Sequence, residues 1–383
     1  MKFKDIQTKA IHAGEASVRA TGAVAPPIYQ SATFTYTGED SYHDLRYIRL
    51  NNTPSHIALQ EKIATLCGGE RCVVTTSGMA AISTALLAFL EAGDHALFQD
   101  CLYGGTHGLL ADLHATGVEM TSIDGGEPEG WDAHLRENTR VIYVEAMTNP
   151  MLRVADLRAV VAFAKRHGLV SMVDNTFASP VNFNPLEMGF DIEIHSATKY
   201  LNGHSDIVAG CVVGASDRID AVLHKLNHLG GCLDPHACFL LHRGIKTLPL
   251  RVGYQNQSAS SLASFLDAHP GVERVVYPGL EHHPDHSRAI QLFRGFGGMI
   301  SFCAHSDVAA ADRVVSALEL PACAPSLGGV ESLVTRPATT THSGMTPEER
   351  SAMGIEDRLI RVSVGIESTD DLCADFDRAL EKL

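Results

Sequence analysis

A lysine amine beside a bound anion can act as a covalent catalyst, and one stretch of this chain offers that setting. In Asp191-Ile-Glu-Ile-His-Ser196-Ala-Thr198-Lys199-Tyr200 a short strand, Ile192 to Ile194, runs into two hydroxyls that flank a lysine. A lysine after a strand is usually a solvated surface residue, and the segment upstream argues against that reading here. Leu169-Val-Ser-Met-Val173-Asp174-Asn175-Thr176-Phe177 is an apolar run that ends in a carboxylate and polar turn formers. In open α/β sheets, ligands sit beyond the carboxyl ends of the strands. Asp174 and Lys199 each lie at or just past such an end. An aspartate facing a pyridinium nitrogen and a lysine forming a Schiff base are the pair that pyridoxal phosphate (PLP) requires. The carboxylate keeps the ring nitrogen protonated, so the ring withdraws electrons. The lysine holds the aldehyde until an amino acid displaces it.

These residues need elements to position them. A helix is expected from Pro54 to Leu66, then a strand Cys72 to Thr76, a turn Ser77-Gly78-Met79 and a helix Ala80 to Leu90. A strand, a glycine turn and a helix start make a phosphate cradle, with backbone N–H groups facing the anion and glycine allowing its approach. Gly78 and Met79 are the expected contacts. A strand His95 to Asp100 leads into Tyr103-Gly-Gly105, read as a sharp loop that lays the tyrosine ring flat. A further strand, Val141 to Glu145, ends at Asn149-Pro150, and a helix from Val154 to His167 precedes the Asp174 strand. This alternation predicts an α/β fold, a mostly parallel sheet with helices on both faces. From about residue 245 the pattern changes. A long helical stretch, Pro235 to Asp267, is followed by strands at 272–276, 298–303 and 358–364 and helices near 307–319 and 369–381, a smaller α+β domain. Residues 1–53 lack a sustained period and are punctuated by Gly22 and Pro26-Pro27, so they read as an extended arm. The expected divisions are 1–53, 54–245 and 246–383.

Together, Val173-Asp-Asn-Thr-Phe177, Ser196-Ala-Thr-Lys-Tyr200 and Asn202-Gly-His-Ser-Asp206 resemble the PLP-dependent Cys/Met-metabolism (transsulfuration) family, from about Thr8 to the C-terminus. The resemblance implies a PLP-dependent aminotransferase type I fold. It implies that Lys199 carries the cofactor, with Asp174, Ser196, Thr198, Gly78 and Met79 around it and Tyr103 over the ring. Tyr47 and Arg49 match a Tyr-x-Arg that reaches into the neighbouring subunit and grips the cofactor phosphate, so the arm is expected to serve a neighbour's site. Arginine suits that job because its planar fork bonds phosphate oxygens in pairs. Asn149 matches an asparagine near the cofactor's phenolic oxygen and the substrate carboxylate. Arg361 alternates outward from its β run and matches the arginine that grips the substrate α-carboxylate. Ser326 matches the serine beside that carboxylate. A homotetramer, a dimer of dimers, is implied as well.

Composition narrows the partners. The net charge of −15 disfavours nucleic acid and anionic membranes, and the longest apolar stretches fall short of a membrane span. The nine cysteines are scattered without Cys-x-x-Cys spacing, which fits small buried thiols in a reducing, cytoplasmic setting. His282-His283 and His286 sit in a proline-rich loop and read as surface residues; no metal is expected.

The expected reaction is γ-elimination or γ-replacement on a homoserine-type or thioether amino acid, with Lys199 moving protons at Cα and Cβ and Tyr103 assisting. The family spans cystathionine γ-synthase, cystathionine lyases, methionine γ-lyase and O-acylhomoserine sulfhydrylases. Its cystathionine enzymes usually carry an acidic residue before the arm tyrosine and a glutamate before the Ser326 position. Arg46 and Pro325 stand there, which speaks against cystathionine. Gly105 replaces the cysteine usual in methionine γ-lyases, and Arg336-Pro-Ala-Thr-Thr-Thr-His342 looks more like the O-acylhomoserine sulfhydrylases. β-Elimination from cystathionine or cysteine is the alternative; a PLP-binding regulator without turnover is a weaker one, because every catalytic position of the motif is filled.

Overall fold

The computed structural model describes residues 3–15 and 22–382, apart from the side chain of His43. The larger domain is built on seven strands: β1 (Arg71–Thr75), β2 (His95–Gln99), β3 (Glu119–Ile123), β4 (Thr139–Glu145), β5 (Val170–Asp174), β6 (Ile192–His195) and β7 (Gly210–Gly214). Their order is β1-β7-β6-β5-β4-β2-β3, parallel throughout except that β7 runs antiparallel between β1 and β6. Strands β2, β6 and β7 are buried along their whole length, as a parallel sheet covered by helices on both faces requires. The smaller domain holds β8 (Val272–Val276), β9 (Met299–Ala304), β10 (Ala322–Cys323), β11 (Leu333–Thr335) and β12 (Leu359–Ser363) in the order β10-β11-β12-β9-β8. Helices Val308–Ala317 and Thr369–Leu380 pack against this second sheet.

Local chemistry sets the element ends that matter for the site. Ser77 caps the helix Gly78–Phe89 by accepting the Ala80 N–H at 3.0 Å. Asp156 caps Leu157–His167 in the same way, and Gly168 ends that helix in the left-handed region, φ 67°. The sheet's strand ends are tied side by side: Gln99 Oε1 accepts the Glu145 N–H at 2.9 Å, and Asn175 N–H donates to the Ile194 carbonyl at 2.9 Å.

Four expectations are corrected. Residues 1–53 are not extended throughout, because Ile6–His12 is helical; the buried Lys62 ammonium donates to the Ala10 and Ile11 carbonyls at its end. Gly104 and Gly105 do not form a loop but open the helix Gly104–Ala115. The stretch from Pro235 splits into Pro235–Ile245 and Leu248–Ala268, since Pro249 disfavours continuing the helix through the residue before it. His283 is buried, not superficial, and its Nδ1 accepts the Asp285 N–H at 3.1 Å.

Candidate functional site

A cavity of about 500 Å³ opens beyond the carboxyl ends of β4, β5 and β6. Ten of the residues singled out by sequence line it: Gly78, Met79, Tyr103, Asn149, Asp174, Ser196, Thr198, Lys199, Ser326 and Arg361.

Lys199 follows β6 in a tight turn closed by its own N–H on the Ser196 carbonyl at 3.1 Å and by Gly203 N–H on the Lys199 carbonyl at 2.8 Å. Tyr200, next in the chain, is buried; its hydroxyl accepts the Gly298 N–H at 3.0 Å, and its carbonyl accepts from the buried Arg251 at 2.9 Å. The lysine is therefore anchored to both domains. Its ammonium donates to Ser326 Oγ at 2.8 Å. Burial, and then the Arg361 charge, lower its pKa to about 8, so near neutral pH a useful fraction of the amine is free to act as a base or nucleophile. Ser326 adopts φ 132°, a region rarely occupied by non-glycine residues, which is a mark of functional sites.

Asp174 ends β5. Its Oδ1 accepts the Thr176 N–H at 2.9 Å, and Thr176 Oγ1 accepts the Ser196 N–H at 2.8 Å. One turn thus links the carboxylate to the hydroxyl loop. Burial raises the Asp174 pKa, so a cation at the cavity floor would be its natural complement. Across the cavity, the N-terminus of Gly78–Phe89 meets Ser196. A Cβ on Gly78 would stand 2.7 Å from Ser196 Cβ and 2.9 Å from its Oγ; only glycine allows the helix to come this close. Thr198 Oγ1 donates to the Ala209 carbonyl at 3.1 Å and accepts its N–H at 3.0 Å. The N–H groups at this helix end and the Ser196 hydroxyl offer the kind of donor set an anion takes.

On the small-domain side, Arg361 is 3 % exposed. The outward face read from the alternation of β12 is covered, because this strand is buried along its length between β9 and β11. The guanidinium donates to Asn149 Oδ1 at 2.9 Å and to the Ser326 carbonyl at 3.2 Å. Burial lowers its pKa to about 10, so it stays cationic at neutral pH and suits a carboxylate. Tyr103, 43 % exposed, stands at the N-cap position of the Gly104–Ala115 helix without a side-chain capping bond. A Cβ on Gly105 would stand 2.6 Å from the Tyr103 ring and 2.9 Å from Met79 Sδ, so a side chain there would displace the phenol.

Tyr47 and Arg49 are not among the residues lining this cavity. They line a separate recess with Thr33, Phe34, Tyr42 and Arg46, where Arg49 donates to the Asn227 carbonyl at 2.6 Å and stacks on the Tyr42 and Tyr47 rings. The sequence reading passed over Glu145, Met147, Val208 and Thr341, which also line the Lys199 cavity. Glu145 carried a legible signal, a carboxylate at the end of a strand, and Thr341 lies in the Arg336–His342 stretch quoted above, though not for the cavity; Val208 comes from an irregular segment that carries none.

Among the described residues, one group of metal-ligand types converges: Cys67, Glu193 and His195, all buried. It lies on the face of β6 opposite Asp174, whose register partner is Ile194. His195 Nε2 is 2.7 Å from Glu193 Oε1, which also accepts from Asn175 at 2.8 Å. Ligand atoms on a tetrahedral zinc stand about 3.3 Å apart, so this is a hydrogen-bonded network.

The model of the family described as Cys/Met metabolism PLP-dependent enzyme matches residues 7–381. A cystathionine gamma-lyase of Bacillus subtilis is 43 % identical over 382 residues, covering 98 % of this chain and 99 % of that one. A cystathionine beta-lyase of Lactococcus lactis is 42 % identical over 379 residues, with 98 % and 99 % covered. The crystal structure of a cystathionine gamma synthase from Xanthomonas oryzae, in complex with aminoacrylate and cysteine, superposes with a TM-score of 0.95 at 38 % identity, covering 99 % of this chain and 98 % of that one.

Proposed function

Because the chain belongs to the family of PLP-dependent enzymes of Cys/Met metabolism, we propose that it acts on an α-amino acid with a leaving group on Cγ, by elimination or replacement. The observation that carries this reading is the grouping of a half-buried lysine of lowered pKa, a buried arginine bonded to Asn149 and the N-terminus of the helix Gly78–Phe89 around one cavity. The residues fit the cofactor: the seat at Gly78, Met79, Ser196 and Thr198 takes its phosphate, Asp174 its ring nitrogen and Lys199 its aldehyde. Tyr103, in the cavity wall, would lie over the ring. Pyridoxal phosphate supplies the electron sink that acidifies Cα–H and then Cβ–H. Arg361, with Asn149 and Ser326, holds the substrate carboxylate. The Lys199 amine takes the Cα proton, and the same amine, reaching one carbon further, moves the Cβ proton. The Tyr103 phenol gives a proton to the departing group. Lys199 fits both transfers because its pKa is near the working pH.

The far end of the cavity favours a substituent without positive charge. Among the lining residues only Glu145 and Asp174 are acidic; Asp174 serves the ring nitrogen, and Glu145 bonds the Tyr103 N–H at 2.6 Å. Pro325 stands in the wall, and Arg46 lies outside it, over the Phe34 ring. A distal ammonium forgoes charge-assisted hydrogen bonds of roughly 1.5–3 kcal/mol each, a tenfold to hundredfold loss per contact. We therefore expect a higher kcat/KM for an O-acylhomoserine than for cystathionine. The test is a substrate panel read for 2-oxobutanoate, pyruvate and thioether, with and without added thiol or sulfide. 2-Oxobutanoate or thioether from an O-acylhomoserine supports the reading; a clear preference for cystathionine overturns it. The likeness to a cystathionine beta-lyase favours a second reading, β-elimination, whose mark is pyruvate from cystathionine.

The same reading makes the enzyme at least a homodimer, and a dimer of dimers in full. It is supported by the seating of Tyr47 and Arg49 outside their own chain's Lys199 cavity, which leaves them for a neighbour's phosphate seat. A cytoplasmic location accords with nine unpaired cysteines; among the described residues, no helix is long and apolar enough to cross a membrane.

A further inference from the structure

Glu145 has no part in the chemistry above, yet it is buried in the cavity floor. It ends β4 in register with Asp174 at the end of β5, so the two carboxyl groups stand side by side on one face of the sheet. Glu145 Oε1 accepts the N–H of Tyr103 at 2.6 Å, and Glu145 N–H is held by Gln99 Oε1 at 2.9 Å. A rigid line therefore runs from the β2 end through Glu145 to the backbone of Tyr103. The titratable groups facing Glu145 are the Asp174 carboxyl, the Tyr143 phenol and the Cys101 thiol. Among the described residues, no lysine or arginine forms an ion pair with it. Two adjacent buried carboxyls cannot both carry charge cheaply. Asp174 has the cationic ring nitrogen to face, and burial together with the Asp174 charge pushes the Glu145 carboxyl well above its usual range.

We propose that Glu145 is a positioning residue for Tyr103 that works through its accepting oxygen and not through a negative charge. The inference rests on the reading of Tyr103 given above. An uncharged Glu145 fixes the Tyr103 backbone, and so where the phenol would meet the cofactor, and leaves Asp174 as the carboxylate that would face the ring nitrogen. A charged Glu145 would be a second carboxylate pressed against Asp174 in the cavity floor, which burial makes costly.

The test uses the holoenzyme with its best Cγ substrate. Glu145→Ala frees the Tyr103 backbone and should lower kcat by about a hundredfold with KM little changed, the cost of a misplacement of about 1 Å. Glu145→Gln keeps an accepting oxygen without an ionisable group; it should recover kcat to within about threefold of wild type, an estimate based on a retained hydrogen bond, and keep the pH profile. Glutamine as slow as alanine, or a pH profile displaced in Glu145→Gln, overturns the proposal, and so does wild-type kcat in Glu145→Ala. Should Glu145→Ala fail to fold, the rate and pH profile of Glu145→Gln decide alone. Tyr103→Ala separates the two readings. If it is impaired and Glu145→Ala is not, only the inference fails; if it turns over normally, the role of Tyr103 fails with it.

Discussion

The reactivity of Lys199 comes from where its amine sits, between burial and the Arg361 guanidinium, and this gives a pH prediction. An ordinary lysine loses its proton near 10.5, this one near 8; only the neutral amine attacks an aldehyde. In cofactor-free protein, the rate of capture of added pyridoxal phosphate should therefore rise with pH, with its midpoint near 8, and level off above. Arg361→Met removes the second cause of the shift and should move the midpoint upward. A wild-type midpoint near 10.5 would mean that the amine is solvated. Asp174 was legible because it ends an apolar strand run, and Lys199 because two hydroxyls flank it just past a short strand. Glu145 ends an apolar run too, but a strand-end carboxylate gains meaning only from its neighbour across the sheet, and the sequence does not show which strands are adjacent. The burial of Arg361 was hidden for a similar reason. Alternation along β12 shows two faces; it does not show that both are covered.

At the scale of elements, the site depends on helices that local sequence only partly specifies. Ile6–His12 is too short to be stable alone; it stands where Lys62 bonds its last carbonyls. Beside that contact His242 is 4 % exposed, and burial, then the Lys62 and Lys246 charges, push its pKa down to about 3. The unfolded chain protonates His242 near 6.5 and the folded chain only near 3, so unfolding takes up a proton over that interval. Stability should fall as pH drops from 6.5 toward 3, by about 2 kcal/mol between pH 7 and 5 from this group. His242→Leu should flatten that part of the urea-midpoint profile, and a parallel profile would contradict it. Strands β4, β5, β8 and β12 were legible as apolar or β-branched runs, and so was the sheet's parallel character. The helix Gly104–Ala115 was not, because it opens with two glycines, the poorest helix formers after proline, and is anchored by the Tyr103 N–H on Glu145. The break at Lys246-Thr247 could have been read from Pro249.

At the scale of the whole molecule, a long positive guanidinium on the arm is useful only if it meets an anion. Arg49 lines a recess shared with Tyr42 and Tyr47 and is not among the residues lining the Lys199 cavity of its own chain. The overall charge of −15 offers an anionic cofactor no general attraction, so local cations and helix N–H groups must hold it. A site assembled from Lys199 of one copy and Arg49 of another meets that need. One mixing experiment tests this and the identity of the catalytic lysine together. Lys199→Ala and Arg49→Ala subunits, each inactive alone, are combined in equal amounts under conditions where subunit exchange is demonstrated independently, and release of 2-oxo acid is followed. Half of the dimers are then hybrids, and in each hybrid one of two sites carries neither lesion, so about a quarter of the wild-type activity should return, by the symmetry of a two-fold dimer. No recovery despite exchange, or activity in Lys199→Ala alone, would contradict a shared site built on Lys199.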